Sequence, residues 1–190
     1  MRHFNIPDPS LDSTRQMFKD LENDARASKI DLGIGIYRDE KGEAPVFKAV
    51  KKAESILYQN EKSKSYKTPA GNSEYCKNIL DLVLGRDILS ERKDKVGAIQ
   101  IPGAGSGLRI AGELIKNNVQ NKLISIPDPT WGQQPFMFEK AGLKISKHTY
   151  YNEQNNFLDF DNMLNDLNKL KSGDSLLLHG CCHNPTGADL

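Results

Sequence analysis

The sequence predicts an α/β protein, a β-sheet with helices on its faces, and three observations carry that prediction. Helical and strand periods of apolar residues alternate from about residue 45 onward. A short β-type run, Val96 to Ile101, opens directly into the glycine turn Pro102, Gly103, Ala104, Gly105, Ser106 and Gly107, after which Leu108, Ala111, Leu114 and Ile115 resume helical spacing. Three leucines, Leu176 to Leu178, run into a loop, His179 to Gly187, of the kind found at the mouth of a parallel sheet.

The elements follow in order. Met17, Phe18, Leu21 and Ala25 make a short apolar stripe, a helix after the Pro7 to Pro9 turn region. Ile30 to Tyr37 is apolar, broken by Gly33 and Gly35, and ends in a charged turn from Arg38 to Glu43. Pro45 is placed to open a helix marked by Val46, Phe47, Val50, Ala53 and Leu57. Tyr75, Ile79, Leu82 and Val83 repeat that spacing after a polar loop holding Tyr66, Pro69 and Gly71. Beyond the glycine turn, Leu123 to Ile126 reads as a strand with Asp128 to Trp131 as its exit. Phe136, Phe138 and Ala141 mark a helix, and Leu143 to His148 a further strand. Phe160, Met163, Leu164 and Leu167 form an amphipathic helix, and Ser175 to Leu178 a buried strand.

Composition narrows the function classes. A chain of 190 residues is long enough to bury a core. With 26 basic and 25 acidic residues, a net charge of +1 offers no electrostatic footprint for nucleic acid or an anionic membrane. No apolar run approaches the roughly 18 residues that span a bilayer, and no secretory block opens the chain, so a cytoplasmic protein is expected. Three cysteines, two of them the adjacent Cys181 and Cys182, make no disulfide framework and point to a reducing compartment.

Several motifs admit more than one reading. The turn from Gly103 to Gly107 lets the backbone approach a ligand and presents helix-start amides suited to phosphate, but it also serves as an ordinary tight connection. Asp128 stands about 25 residues past Gly103, where a dinucleotide fold carries its acidic ribose ligand, yet Leu108 replaces the third fingerprint glycine. No Walker lysine follows the turn. His179, Cys181, Cys182 and His183 lack the paired spacing of zinc sites, and the cysteines read equally well as packing at a strand end. Trp131 reads as core or as a platform for a flat ring.

Taken in order along the chain, Gly33 to Tyr37 with Leu32 before it, Tyr66, Gly103 to Arg109, Asp128 to Trp131 and His179 to Gly187 resemble successive blocks of one family. Tyr150 through Asp161 is similar to the segment that precedes its asparagine loop. That family is the class I pyridoxal 5'-phosphate (PLP) dependent aminotransferases, in the aspartate and aromatic amino acid subgroup, and the resemblance covers essentially the whole chain. It implies the fold-type I architecture, a three-layer α/β/α arrangement around a mixed, mostly parallel sheet, here incomplete. Residues 1–44 would be an N-terminal arm and part of the small domain, and residues 45–190 the first part of the large cofactor-binding domain.

The resemblance also implies roles. Asn184 resembles the residue that hydrogen-bonds the phenolic oxygen of PLP, and Trp131 the indole that stacks on its ring. Gly105 and Ser106 resemble the phosphate cup, although the family usually places a hydroxyl one position earlier relative to Arg109. Tyr66 resembles the tyrosine that reaches the phosphate held by a neighbouring subunit, which implies a homodimer. Gly35, with Ile34 beside it, resembles the glycine that approaches the substrate α-carboxylate, and Trp131 and Asn184 would face the substrate too. Gln134 stands where relatives often carry a histidine.

No segment matches the block that holds the lysine forming the Schiff base, and Lys64 is a poor substitute. The aspartate, tyrosine and arginines that complete the family site are likewise unmatched. No catalytic residue is therefore assigned to these 190 residues. The expectation is an aminotransferase exchanging an amino group between an aspartate-like or aromatic amino acid and a 2-oxo acid, represented by its N-terminal half and inactive alone. The alternative is a non-catalytic remnant or phosphate-ligand-binding module. Leu176 to Leu178 would leave an apolar sheet edge prone to association.

Overall fold

A computed structural model describes residues 13–31, 33–66, 68–92 and 95–190, with the side chains of 13–15 left aside. The expectations for Pro7 to Pro9 and for Leu32 fall outside the described residues. The chain divides into two compact units, residues 1–65 and 66–190.

The first unit holds α1 (Ser13–Asn23) and α2 (Lys48–Asn60). Between them the chain is irregular but tied locally. Arg38 pairs with Asp31 at 2.8 Å and donates to the Gly42 carbonyl at 3.1 Å. A side chain at Gly33 would meet the Met17 Cε at 2.5 Å, so the close packing of α1 on this segment needs a glycine. Two expectations are corrected here. Ala25 lies past the end of α1, and Pro45 lies outside α2, which begins after an extended Phe47. An extended backbone at Phe47 delays the first helical position by three residues, from Pro45 to Lys48.

The second unit opens with α3 (Ser73–Leu84), started by the Asn72 carboxamide oxygen, which accepts from the Glu74 and Tyr75 amides at 2.9 and 3.1 Å. A short α4 (Arg86–Arg92) follows. Val96 to Ile101 is not a strand, contrary to its β-type sequence, because its hydrogen bonds go elsewhere. The Gln100 amide donates to the Ala70 carbonyl and its side-chain oxygen accepts from the Asn72 amide, both at 2.9 Å, which clamps the loop of residues 68–72 against the segment leading into the glycine turn.

The α/β core follows. Helix α5 (Ala104–Asn118) leads to β1 (Leu123–Asp128), α6 (Gln133–Ala141) and β2 (Lys144–Thr149), then to a hairpin of β3 (Tyr151–Asn152) and β4 (Phe157–Leu158), α7 (Phe160–Leu167) and β5 (Ser175–Leu176). The sheet order is β2-β1-β5, all parallel, with Leu123 opposite Lys144 and Ile124 opposite Ser175. Ile124 and Ile126 point to one face and meet Phe138 and Leu143 in a buried cluster that Leu108, Ala111, Ile115, Ile145 and Leu177 extend. Ser125 and His148 occupy the opposite face, linked at 3.0 Å through the hydroxyl and Nδ1.

Ser175 to Leu178 departs from the expected buried strand. Only Ser175–Leu176 pairs in the ladder, the Leu177 amide extends the contact to the Ser125 carbonyl at 2.8 Å, and Leu176 and Leu178 are exposed. Leu177 packs on the apolar cluster, so Leu176 and Leu178, which point to the other face, are the exposed ones. α4 and the β3–β4 hairpin have no counterpart in the sequence reading, since each is too short to display a period.

Helices α5 and α6 run side by side in one direction. Met137 stands beside Gly105, Ala141 and Phe138 beside Gly112, and Lys116 beside Gly142. Both helices therefore begin at the carboxyl end of β1. They pack tightly at Gly112, where an added β-carbon would sit 2.7 Å from the Ala141 Cβ and 3.2 Å from the Phe138 ring. Gly112→Ala would gain about 1 kcal/mol of helix propensity but incur an overpacking cost of about 1–3 kcal/mol against side chains that have little room to turn. A fall in the urea midpoint of Gly112→Ala is expected, and a rise would show that the helices separate freely.

Helix α7 is fastened to β2 by Asp166, whose Oδ2 accepts from the Thr149 amide and hydroxyl at 2.9 and 2.8 Å while Oδ1 meets Lys169 at 2.7 Å. Lys169 first, then Thr149, holds this carboxyl well below the usual carboxylate range. A carboxylate so depressed stabilises the fold above its unfolded pKa of about 3.9 and loses that contribution as the pH falls through its folded value. Asp166→Asn should therefore lower the urea midpoint at neutral pH, with a deficit that shrinks below about pH 4. A deficit of constant size down to that pH would contradict the role of the charge.

Candidate functional site

Parallel strands send their carboxyl-end loops to one edge, and this edge gathers most of the residues singled out by sequence. β1 exits through Asp128, Pro129, Thr130 and Trp131 into α6, and β5 exits into the loop His179 to Gly187. The starts of α5 and α6 lie at the same edge, so Gly105 and Ser106 come close to the first turns after Trp131. Asp128–Pro129 and Asn184–Pro185 are cis peptides.

A hydrogen-bonded path joins the two exits. The Gln134 amide donates to the Trp131 carbonyl at 2.9 Å, and the Gln134 carboxamide contacts His179 Nε2 through its nitrogen at 2.8 Å and its oxygen at 3.2 Å. The Asn184 amide donates to His179 Nδ1 at 3.1 Å. Since Nδ1 accepts, a neutral imidazole carries its proton on Nε2, and that proton selects the Gln134 oxygen as its partner. Burial pushes the His179 pKa down, which favours this neutral form. Thr130 also bonds to the Gln134 carboxamide oxygen through its hydroxyl.

Rings support the loop from below. Tyr150, wholly buried, stacks on His183 with centroids 3.8 Å apart, and His183 stacks on His179 at 4.4 Å. The Tyr150 hydroxyl donates to the Ala188 carbonyl at 2.7 Å, and His183 Nδ1 meets the Thr186 hydroxyl at 2.8 Å. The His183 pKa is lowered, by burial first and by neighbouring His179 next. His183 Nε2 is buried without a hydrogen-bond partner among the described residues. Sequence reading, which weighed His179 and His183 as metal ligands and found that their spacing does not match zinc sites, did not reach this stacking role, and Tyr150 entered only through family similarity. Among the described residues no group of three or more His, Cys, Asp or Glu is placed to hold a metal ion.

The path leaves ligand-binding groups free. Asn184 is exposed, and its carboxamide bonds to no described residue, only its backbone being engaged. Helix α5 follows directly on Gly103, whose φ of 147° suits glycine, with no side-chain cap and no acidic residue in the first turn. Its leading amides are therefore electropositive and have no partner among the described residues, and Ser106 is exposed beside them. An exposed carboxamide, an uncapped helix start with a hydroxyl, and a partly buried indole suit a flat ring bearing an oxyanion and a phosphate. Tyr66 is fully exposed at the start of this unit. Gly35 and Ile34 belong to the first unit, where the Ile36 amide donates to the Ile34 carbonyl at 2.8 Å and Ile34 is exposed. Lys64 pairs with Glu61 and is also exposed.

Comparison with known proteins matches this arrangement. Over 166 residues the chain is 39% identical to the aspartate aminotransferase of Escherichia coli K12, covering 87% of this chain and 42% of that protein. It is 41% identical over 171 residues to the aromatic-amino-acid aminotransferase of Pseudomonas aeruginosa, with 88% and 42% covered. The crystal structure of an aromatic-amino-acid aminotransferase from Burkholderia pseudomallei, covalently bound to pyridoxal phosphate, superposes with a TM-score of 0.85 at 31% identity, over 100% of this chain and 46% of that one. The chain thus spans less than half the length of the relatives it matches. Residues 27–190 match the family "Aminotransferase class I and II", and with the helix starts and the asparagine loop gathered on one sheet edge, the chain belongs to that family.

Proposed function

We propose that the protein is a PLP-dependent aminotransferase that moves an amino group between an aspartate-like or aromatic amino acid and a 2-oxo acid. Its residues 45–190 form the first part of the large cofactor-binding domain, and its residues 1–44 form an arm and part of the small domain. It works as a cytoplasmic homodimer; no helix among the described residues is long and apolar enough to cross a membrane. The observation that supports this reading is the bonded path from the Trp131 backbone through Gln134 and His179 to the Asn184 backbone, on one edge of the sheet.

When bound, PLP supplies an electron-poor ring that takes up the charge left as a bond at the amino acid α-carbon is broken. The residues here have narrower tasks. Trp131 offers the flat apolar face that sets ring orientation. The Asn184 carboxamide donates to the ring's phenolic oxygen and favours its ionised form. Gly105 and Ser106 present backbone amides and a hydroxyl to the phosphate at the start of α5. Tyr66, exposed, extends to the phosphate of a second subunit, while Gly35 and Ile34 line the substrate side. Neutral His179 holds the Asn184 backbone still, because protonating Nδ1 would remove its acceptor.

Trp131 is the sole tryptophan, so its fluorescence reports the site directly. Titrating the 190-residue chain with PLP should quench Trp131 saturably, and inorganic phosphate should compete. Loss of one hydrogen bond to a charged oxygen corresponds to about 1.5–3 kcal/mol, so Asn184→Ala should weaken binding roughly tenfold or more. Absence of saturable quenching, or quenching indifferent to Asn184→Ala, would remove the ring-binding assignment. Phosphate binding with no response from Trp131 would favour the phosphate-module reading instead. Borohydride treatment of the PLP-loaded chain should leave no stoichiometric pyridoxyl-lysine, and no amino group should be transferred; a single fully labelled lysine would overturn the assignment of no catalytic residue to this chain.

A further inference from the structure

Cys181 and Cys182 take no part in the proposed function, and the structure does not pack them as a strand end would. Both are free and exposed, whereas Cys76 is buried. On an extended strand neighbouring side chains face opposite sides. Here the chain bends, and Cys182 adopts a left-handed φ of 51°, uncommon for a residue with a β-carbon. The bend keeps the side chains of these adjacent residues from being fixed on opposite faces of a strand, and both stand exposed. The amide of His183 donates to the Asp189 carboxylate at 3.0 Å, so the bend is held from its far side. The thiol of Cys182 is kept protonated chiefly by the Cys181 sulfur beside it.

We propose that Cys181 and Cys182 form a redox-reversible dithiol site that closes to a vicinal disulfide on meeting a low-molecular-weight disulfide. One cysteine thiolate attacks a sulfur of the small disulfide, forming a mixed disulfide and releasing one thiolate. The second cysteine, next to it in the chain and equally exposed, attacks the protein sulfur of that mixed disulfide and releases the other. Two S–H bonds and one external S–S bond are lost; one internal S–S bond and two small thiols are formed, the two cysteine protons passing to the thiolates. The cysteines are oxidised and the small disulfide is reduced.

The chain geometry sets the stability of the product. Adjacent α-carbons are about 3.8 Å apart across a trans peptide, below the roughly 4.4–6.8 Å usual for disulfides. The ring is therefore strained and readily reduced, which makes the dithiol the resting form in a reducing glutathione pool and the ring a form reached under oxidation.

The test is independent of whether PLP binds. The chain is incubated with oxidised glutathione under native conditions, and its intact mass and peptide map are recorded. The wild type should lose two hydrogens, retain no glutathione, show an internal bond within the peptide bearing Cys181 and Cys182, and return to its starting mass with dithiothreitol. Cys181→Ser and Cys182→Ser, altered at exposed positions, should each retain one glutathione because the closing thiol is gone. Stable glutathione on the wild type, a covalent dimer through either residue, or two unreacted thiols would each overturn the proposal.

Discussion

Parallel pairing of β1 with β2 on one side and β5 on the other is the constraint from which the arrangement follows. A parallel pair cannot be joined by a hairpin, so each connection must cross back over the sheet, and here a helix does so. That return places the end of every strand, and the beginning of every returning helix, on the same edge. Trp131, the start of α5 and the loop from His179 then need no separate device to bring them within reach of one another. The apolar cluster of Ile124, Ile126, Phe138 and Leu143 makes the sheet and its helices one body, and Gly112 lets two of those helices touch along their length.

Position alone does not hold a loop of nine residues still. Here the fixing is polar on one flank and aromatic on the other. His179 uses both ring nitrogens, one toward the Asn184 backbone and one toward Gln134, so its orientation and tautomer are both determined. Behind it, His183 and Tyr150 exclude water and keep both imidazoles neutral. Gln134 suits this setting because a carboxamide offers an acceptor to a neutral imidazole without adding a second titratable group.

Much of this was legible in the sequence, for reasons that differ by element. The glycine turn and α5 declared themselves because backbone freedom and helical spacing occur together at Gly103 to Ile115. β1, α6, β2 and α7 carry clear apolar periods. Val96 to Ile101 misled because β-type composition describes a chain able to pair, whereas a strand also requires a neighbour, and Gln100 instead bonds to residues 70 and 72. Leu176 and Leu178 misled because hydrophobicity does not reveal which side of a strand lacks cover. The contacts between Gln134 and His179, 45 positions apart, and between Tyr150 and His183 leave no local pattern, since they arise only when separate strand exits meet.

The column of rings has a spectroscopic consequence. His183 is flanked by Tyr150 at 3.8 Å and His179 at 4.4 Å, nearly parallel to the first at 13°. Aromatic circulation on both sides shields its carbon-bound protons, so their magnetic resonances are displaced upfield from those of a solvated imidazole. Any opening of the asparagine loop slides one ring off the next and relaxes that displacement, giving the protein a built-in gauge of loop closure that requires no label.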